Sequence, residues 1–260
     1  MEKKDRLKFA LVQFDPKWEE AGQNVKKVEA MLEGLSESVD VIVLPEAFTT
    51  GFSMDAGKVA EPMDGGSVSW MKQVAANKQV AICGSLFIAD NETYYNRFVW
   101  AEPSGKLFTY DKRHLFSMST EHEHYSQGEL QLLIEYKGWK IFPQICYDLR
   151  FPVWSRNVQG YDLLINVANW PGSRQEVWKT LLKARAIENQ CYVVAVNRVG
   201  RDGNGISYSG DSMLIDYKGE IVLSVDGQAG IAVVGIEKPL LDSFRRKFDT
   251  LKDRDQFQLQ

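Results

Sequence analysis

The stretch Lys140-Ile-Phe-Pro-Gln-Ile-Cys-Tyr-Asp-Leu-Arg-Phe-Pro152 is a short apolar run that ends on a cysteine and turns polar before a proline. This pattern predicts a buried strand that delivers the thiol of Cys146 into a tight turn. Backbone N–H groups in such a turn can converge on a reacting atom, which suits a nucleophile. The other interpretation is that Cys146 is a small buried hydrophobe at a strand end, the usual place of a free cysteine.

The segments nearer the N-terminus alternate between strand and helix patterns. Leu7–Phe14 has the pattern of a buried strand and Trp18–Leu35 that of an amphipathic helix. Val39–Leu44 is a β-branched run, typical of a strand covered on both faces, and it ends at Pro45-Glu46. Ligands of α/β proteins bind at the carboxyl ends of such strands, although solvated loop carboxylates are common there too. Glu46 is therefore a candidate site residue.

A second buried strand, in the later half of the chain, repeats this arrangement. Tyr161–Asn169 has an aspartate near its start, continues apolar and ends on a polar residue, as Val39–Glu46 does. The helix pattern of Arg174–Gln190 and the strand pattern of Cys191–Val196 follow it. We therefore expect an α/β fold with two similar halves placed back to back.

Strands separated by turn residues fill the rest of the chain. We expect two hairpins, Tyr94–Ala101 with Lys106–Tyr110 and Leu130–Glu135 with Trp139–Ile145. A three-stranded meander is expected from the segments Gly210–Asp216, Glu220–Val225 and Gly230–Glu237. The length of 260 residues predicts a single domain, 1–260, in which about 247–260 form a charged C-terminal tail.

The composition argues against several classes of partner. A formal net charge of −4 gives no electrostatic footprint for nucleic acid, and no run of like charge predicts a membrane-binding helix. The apolar stretch that follows Met1–Arg6 is too short for a signal sequence or a membrane span, so we expect a cytoplasmic protein. Three cysteines without paired or metal-like spacing also fit a reducing compartment.

The segment Glu121-His122-Glu123-His124 has the residue types of a metal site. Alternating histidines can share one face of an extended segment, but the sequence offers only His114 as a further histidine and no Cys or Asp cluster. Gly200–Gly205 is not followed by a helix pattern, so it is not a phosphate-binding turn. We therefore expect neither a metal nor a nucleotide cofactor.

Three motifs in order point to a function: Pro45-Glu46, Asp111-Lys112 and Ile145–Pro152. Together they resemble the nitrilase superfamily of carbon–nitrogen hydrolases, and the resemblance extends from Ala10–Gln13 to the strand at Gly210–Ser212. It implies a four-layer α-β-β-α sandwich, which agrees with the two similar halves. It also implies a homodimer or higher homo-oligomer, because members commonly dimerise across a helical face.

The resemblance gives the three motif residues chemical roles. By motif, Cys146 matches the nucleophile, Glu46 the general base and Lys112 the cationic partner of the transition state. A thiolate attacks an amide carbonyl, and the carboxylate takes the thiol proton and later activates water. Ammonia leaves on acylation, and the thioester is then hydrolysed.

Two further residues complete this implied site. The backbone N–H of Tyr147 would join Lys112 in stabilising the tetrahedral oxyanion. Glu121 matches the additional glutamate of the family, seven residues before a glycine, here Gly128. Its implied role is to hold Lys112 or the substrate in place.

Three stretches resemble the bacterial omega-amidases of this superfamily: Lys112–Phe116, Ala168–Pro171 and Ala184–Gln190. Omega-amidases hydrolyse the terminal amide of 2-oxoglutaramate or 2-oxosuccinamate, small substrates that also carry a carboxylate. A pocket arginine would suit bidentate recognition of that carboxylate.

The candidates for this recognition are Arg150 and Arg174. Arg150 has a second interpretation as the structural ion-pair partner of a nearby carboxylate. The aromatic residues Phe52, Phe116 and Trp170 either wall the pocket or belong to the core.

Other functions remain open at this point. Within the superfamily, the chain has the alternatives of a nitrilase, an N-carbamoyl amino acid hydrolase or an aliphatic amidase. A catalytically inactive scaffold with the same fold is a further alternative. The presence of Glu46, Lys112 and Cys146 together argues against the scaffold, which has no need of all three.

Overall fold

Helices are interspersed with single strands and with runs of consecutive strands along the described residues. The computed structural model describes residues 3–259, so Met1, Glu2 and Gln260 of the expected domain and tail lie outside the described residues. The strands are β1 (Arg6–Gln13), β2 (Val41–Val43), β3 (Ala81–Asp90), β4 (Thr93–Ala101), β5 (Leu107–Asp111), β6 (Ile134–Tyr136), β7 (Trp139–Ile145), β8 (Leu163–Ala168), β9 (Tyr192–Asn197), β10 (Val199–Arg201), β11 (Ser207–Ser209), β12 (Met213–Ile215), β13 (Ile221–Ser224) and β14 (Gly230–Glu237). The helices are α1 (Ala21–Glu33), α2 (Ala56–Val59), α3 (Gly66–Lys78), α4 (Glu121–His124), α5 (Pro152–Ser155), α6 (Gln175–Asn189) and α7 (Lys238–Lys247).

The two large sheets have the same internal order. One runs β14-β1-β2-β3-β4-β5 and the other, read from its opposite edge, runs β6-β7-β8-β9-β12-β13. In both, three central parallel strands are flanked by one antiparallel strand on one side and two on the other. The prediction of two similar halves is confirmed, because β2 and β8 occupy equivalent central positions. Glu46 and Asn169 therefore both lie just beyond the carboxyl ends of equivalent strands.

Three apolar clusters define four layers. Alternate residues of β1 point to opposite faces, as expected for a strand. Leu7 and Phe9 belong to a cluster shared with the second sheet, whereas Ala10 and Val12 belong to a cluster shared with α1 and α3. A third cluster joins the outer face of the second sheet to α6. The α-β-β-α sandwich expected from the sequence is thus confirmed.

The expected meander is wrong in its last strand. β12 and β13 pair with each other, but β14 crosses to the other sheet and pairs antiparallel with β1, from Arg6 opposite Glu237 to Gln13 opposite Gly230. Turn residues predict where the chain reverses, but they do not determine which strand the returning segment joins. β14 covers an edge of β1 that would otherwise leave backbone groups unpaired.

The segment Gly200–Gly205, for which the sequence predicts no helix, lies in a small hairpin of β10 and β11. Asp202 organises its turn, because one carboxylate oxygen accepts hydrogen bonds from the backbone N–H groups of Asn204 and Ile206, both at 2.9 Å. The other oxygen accepts a bond of 2.8 Å from the hydroxyl of Tyr208. This hairpin forms one wall of the pocket described below.

The C-terminal helix α7 packs Leu241 and Phe244 against the cluster between the sheets. After the helix, Leu251 is also buried, in a short 3-10 helix at Leu251–Asp253. Part of the expected tail therefore lies against the protein. No helix among residues 3–259 combines the length and apolar character needed to cross a membrane.

Candidate active site

Cys146 stands at the junction between β7 and a 3-10 helix, Cys146–Arg150. Its φ is +44°, in the left-handed region that non-glycine residues rarely adopt. The carboxylate of Asp148 stabilises this turn by accepting hydrogen bonds from the backbone N–H of Ile145, at 3.0 Å, and of His114, at 2.9 Å. The expected strand that ends in a tight turn is present, and the strained cysteine lies at its tip.

The thiol of Cys146 differs from the other two in its surroundings. Cys83 and Cys191 are fully buried, whereas Cys146 is partly exposed and lines a pocket. Desolvation in this crowded site raises the pKa of the Cys146 thiol well above its usual value; the negative charge of Glu46 adds to the effect and Lys112 opposes it. The raised pKa favours the neutral thiol, which would need a base to act as a nucleophile.

Glu46 is held by donors from three directions. Its Oε1 accepts hydrogen bonds from Nζ of Lys112, at 2.9 Å, and from Nδ2 of Asn96, at 2.8 Å. Its Oε2 accepts the backbone N–H of Asn169, at 2.7 Å. The side chain of Asn169 in turn donates to the backbone carbonyl of Glu46, also at 2.7 Å. The carboxylate is fully buried, and its orientation is fixed.

Lys112 follows β5 and is only 1% exposed, so the solvated strand end that is usual for lysine does not describe it. Its Nζ lies 3.0 Å from both carboxylate oxygens of Glu121 as well as close to Glu46. Desolvation alone would lower the pKa of Lys112, but the charges of Glu121 and Glu46 outweigh it and raise the pKa. Lys112 is therefore a permanent buried cation.

Glu121 begins the short helix α4 and points inward, whereas His122, Glu123 and His124 are exposed. Burial raises the pKa of Glu121, and Lys112 opposes the rise. The backbone N–H of Phe116 donates to Glu121 at 2.5 Å. Since α4 turns these side chains in different directions, the segment does not present its histidines and glutamates to one point.

Close packing explains why Gly128, the glycine seven residues after Glu121, has no side chain. The backbone N–H of Gly128 donates to the carbonyl of Lys112 at 2.9 Å. A Cβ at Gly128 would lie 2.1 Å from the carbonyl oxygen of Asp111, the residue before the lysine. Glycine is thus required where this loop meets the backbone that carries Lys112.

A pocket of about 510 Å³ opens over these groups. Among its lining residues are the three motif residues, the oxyanion candidate Tyr147 and all five substrate-binding candidates named from the sequence: Glu46, Lys112, Cys146, Tyr147, Phe52, Phe116, Arg150, Trp170 and Arg174. The ring centroid of Phe52 lies 5.0 Å from Nζ of Lys112. Trp170 is also a core residue, since it packs on Trp178 with ring centroids 5.4 Å apart. Trp170 therefore both lines the pocket and belongs to the core.

The two arginines each stack on an aromatic ring of this pocket. The guanidinium of Arg150 lies 5.0 Å from the ring of Trp170, and that of Arg174 lies 5.4 Å from the ring of Phe116. Within the described part of the chain, neither arginine has a carboxylate within ion-pair distance. Among the described residues, the interpretation of Arg150 as a structural ion-pair partner is thus wrong. The guanidinium groups of Arg150 and Arg174 are both available to a ligand.

Four residues that sequence reasoning missed support or line the site: Asn96, Asp148, Asn169 and Tyr208. Asn169 had a signal, because it ends the strand that repeats the Val39–Glu46 pattern. Asp148 also had one, since it lies in the cysteine motif itself. Asn96 is a polar residue inside a strand pattern, and Tyr208 lies between Gly200–Gly205 and the strand expected from Gly210, where no element was predicted.

Comparison with known proteins gives a consistent result. The model of the Carbon-nitrogen hydrolase family matches residues 8–246. The chain is 44% identical to omega-amidase YafV of Escherichia coli K12 over 254 residues, 97% of this chain and 98% of that protein. It is 36% identical to 2-oxoglutaramate amidase of Bacillus subtilis over 234 residues, 88% of this chain and 90% of that protein.

A solved structure extends this agreement to three dimensions. XC1258 of Xanthomonas campestris, a CN-hydrolase superfamily protein with an arsenic adduct in its active site, superposes with a TM-score of 0.96 at 44% identity. The match covers 98% of this chain and 99% of that one. With a family match over most of its length and close relatives over nearly all of it, this chain belongs to the carbon-nitrogen hydrolase family.

Proposed function

We propose that this enzyme is an omega-amidase, which hydrolyses the terminal carboxamide of a small 2-oxo acid such as 2-oxoglutaramate or 2-oxosuccinamate to the diacid and ammonia. The observation that carries the proposal is a single pocket that combines Cys146, Glu46 and Lys112 with two arginines lacking carboxylate partners among residues 3–259. The similarity to an omega-amidase and to a 2-oxoglutaramate amidase supports the same substrate class.

Acylation begins with transfer of the Cys146 proton to Glu46. The sulfur attacks the amide carbon, and the carbonyl oxygen becomes a tetrahedral oxyanion. Collapse of this intermediate breaks the C–N bond, and Glu46 returns the proton to the departing nitrogen, which leaves as ammonia. The product of this half-reaction is a thioester between the substrate acyl group and Cys146.

Deacylation uses Glu46 again, first to accept a proton and then to return it. Glu46 takes a proton from a water molecule, whose oxygen attacks the thioester carbon. The second tetrahedral intermediate breaks the C–S bond, and the proton passes to the sulfur, which regenerates the thiol. Because burial and the charge of Glu46 favour the neutral thiol, the resting enzyme is restored in a single protonation state.

Lys112 and the backbone N–H of Tyr147 are proposed to stabilise both oxyanions. Lys112 carries its charge in a desolvated site, where its interaction with a developing negative charge is strong. The N–H of Tyr147 lies in the first turn of a 3-10 helix, where backbone donors have no partner within the helix. Glu121, whose two carboxylate oxygens both accept from Nζ of Lys112, acts as a positioning residue for the lysine.

The carboxylate of the substrate is proposed to bind Arg174 or Arg150. Each guanidinium is pre-oriented by stacking on an aromatic ring, which lowers the entropy lost on binding. Nε1 of Trp170 donates to the backbone carbonyl of Arg174 at 2.9 Å, so the two sides of the pocket are linked. Phe52 and Phe116 supply apolar surface for the short carbon chain.

A panel of substrates tests this proposal. Release of ammonia is measured with 2-oxoglutaramate, 2-oxosuccinamate, neutral aliphatic amides, N-carbamoyl amino acids and nitriles. We expect the highest kcat/KM with the two 2-oxo acid amides. Preference for a nitrile or a carbamoyl amino acid would move the enzyme to another branch of the family, and a protein inactive on all of them would be a scaffold.

We also propose a cytoplasmic homodimer or higher homo-oligomer that has no nucleic-acid partner and needs no cofactor. Exposed apolar residues on α6, Val177 and Ile187, support association through this helical face. The three free cysteines fit a reducing compartment. Analytical ultracentrifugation tests the assembly, and a monomer at micromolar concentration would exclude it.

A further inference from the structure

A chain of hydrogen bonds runs from the backbone next to Glu46 to the carboxylates around Lys112. The backbone N–H of Ala47 donates to Oγ of Ser85 at 2.9 Å. Oγ of Ser85 in turn lies 2.8 Å from Oδ1 of Asn96. Nδ2 of Asn96 then donates to Oε1 of Glu46, at 2.8 Å, and to Oε1 of Glu121, at 3.3 Å. Both Ser85 and Asn96 are fully buried.

The direction of every bond in this chain is determined by its chemistry. Ser85 accepts from an N–H group, so its own hydroxyl hydrogen is free to point at Asn96. Oδ1 of Asn96 must be the acceptor of that hydrogen, which turns both Nδ2 hydrogens toward the carboxylates. A flipped amide would place its oxygen against two carboxylates and lose the hydrogen bonds to both of them. The two carboxylates thus fix Asn96 as a double donor, and the hydroxyl of Ser85 satisfies its Oδ1.

Ser85 also holds the backbone that carries Glu46. Ala47 has a φ of +43°, a conformation that costs free energy for a residue with a side chain. Besides the bond from Ala47, the backbone N–H of Ser85 donates to the carbonyl of Pro45, and its carbonyl accepts from Phe48, both at 3.3 Å. A single residue of β3 therefore fixes the strained turn and the amide of Asn96 together.

The charged groups that face Glu46 show why a neutral donor is needed there. Lys112 supplies one positive charge beside the two carboxylates of Glu46 and Glu121, while the thiol of Cys146 and, next to Glu121, the phenol of Tyr125 are further ionisable neighbours. With both carboxylates ionised the cluster carries one negative charge in excess, and these side chains are buried away from solvent. Asn96 is the side chain that contacts both carboxylates without adding charge.

We propose that Ser85 and Asn96 are positioning residues for proton transfer, which orient the carboxylate of Glu46 toward Cys146 through a hydrogen-bond donor of fixed direction. The inference rests on the proposed role of Glu46 as the general base. It assigns to the pair a contribution to kcat and to the pH dependence of the reaction, and none to recognition of the substrate. Neither residue lines the pocket, so neither touches the substrate.

The test compares Asn96→Asp, Asn96→Ala and Ser85→Ala with the unchanged enzyme. Loss of a hydrogen bond to a charged group predicts a fall in kcat of about 10- to 100-fold for the Asn96 variants, with KM nearly unchanged. The acid limb of the kcat/KM profile should move to higher pH by about one unit, because the ionised carboxylates lose a donor. Ser85→Ala is the milder change. It should lower kcat and move the acid limb in the same directions, but by smaller amounts.

Asn157→Ala is the matched control. Asn157 is also a fully buried asparagine, and its side chain donates to the backbone carbonyls of Tyr161 and Asn189, outside the pocket. This variant should lower Tm and leave the pH profile in place. If the Asn96 variants lowered Tm but left kcat and the acid limb unchanged, as Asn157→Ala does, the inference would be overturned.

A second readout separates this inference from the proposed function. The rate at which iodoacetamide alkylates Cys146 is measured against pH in the same proteins, and it needs no amidase activity. We expect the profile of Asn96→Ala to be displaced from that of the unchanged enzyme, because the protonation of Glu46 governs the thiol beside it. Inactivity of the unchanged enzyme on every amide would contradict the proposed function alone, whereas superimposable alkylation profiles would contradict the role of Asn96.

Discussion

The ammonium group of Lys112 lies 2.9 Å from Oε1 of Glu46, although the two residues are 66 positions apart in the chain. Each residue follows a strand of the same sheet, β2 or β5, and the two side chains meet at the edge where these strands end, across the intervening β3 and β4. A charge pair buried to this degree is costly to break, because removal of one partner leaves the other desolvated and uncompensated.

Replacement of Lys112 by methionine should therefore destabilise the protein as well as inactivate it. Glu46 and Glu121 would remain buried without a cation, and we expect the free energy of unfolding to fall by about 3–5 kcal/mol. The double variant Lys112→Met with Glu121→Gln removes one of the two carboxylate charges and should recover part of the stability but no activity. Denaturation in urea measures the stability of both variants. A Lys112→Met protein of unchanged stability would contradict the buried charge cluster.

The protonation state of Cys146 gives a prediction about pH. Because desolvation and the charge of Glu46 raise the pKa of this thiol, it should stay protonated from neutral pH up to at least 9.0, the ordinary value for a cysteine. The ultraviolet absorbance of a thiolate, taken as the difference between the unchanged protein and Cys146→Ala, should be absent over this range. A thiolate signal at neutral pH would show that Glu46 is not needed to remove the proton.

The two arginines predict a difference between acidic and neutral substrates. Arg174→Met should raise KM for 2-oxoglutaramate by about 10- to 100-fold, since a charge-assisted hydrogen bond is lost. KM for a neutral aliphatic amide of the same length should change little. Arg150→Met is the matched variant, and the arginine whose loss affects only the acidic substrate is the carboxylate ligand. Equal effects on both substrates from both variants would contradict carboxylate recognition by either residue.

Gly128 predicts a backbone effect on Lys112. The Cβ of Gly128→Ala would meet the carbonyl oxygen of Asp111 at 2.1 Å, so the backbone on both sides must move. We expect a loss of stability together with a fall in kcat of about 10-fold or more, because a displacement near 1 Å is expensive in a positioned site. Gly22→Ala is the control, since a Cβ there has open space and the helix gains from alanine. Full activity in Gly128→Ala would show that Lys112 tolerates the shift.

The positions of the motif residues followed from the sequence because buried strands have a local signature. The apolar runs that end at Glu46 and Cys146 are strands β2 and β7 with the residues just beyond them. The similarity of Tyr161–Asn169 to Val39–Glu46 correctly indicated two equivalent halves. It also held information that was not used, because equivalent strand ends in two facing sheets meet, and the N–H of Asn169 binds Glu46 directly.

Other features depend on contacts that leave little local trace. The pairing of β14 with β1 joins the two ends of the chain, and turn residues around Asp226 are compatible with either sheet. Asp148 is three residues from Ile145 in sequence, but its partners Tyr110 and His114 come from a different part of the chain. The donor role of Asn96 likewise follows only once Glu46 and Glu121 are placed beside it.

The central proposal is that Cys146 forms a thioester with the acyl group of a 2-oxo acid amide. Brief exposure of the protein to 2-oxoglutaramate, followed by an acid quench and intact mass spectrometry, tests it directly. We predict a mass increase equal to the substrate minus ammonia, located on Cys146 by peptide mapping and absent from Cys146→Ala. An adduct on another residue, or full amidase activity in Cys146→Ala, would contradict the proposal.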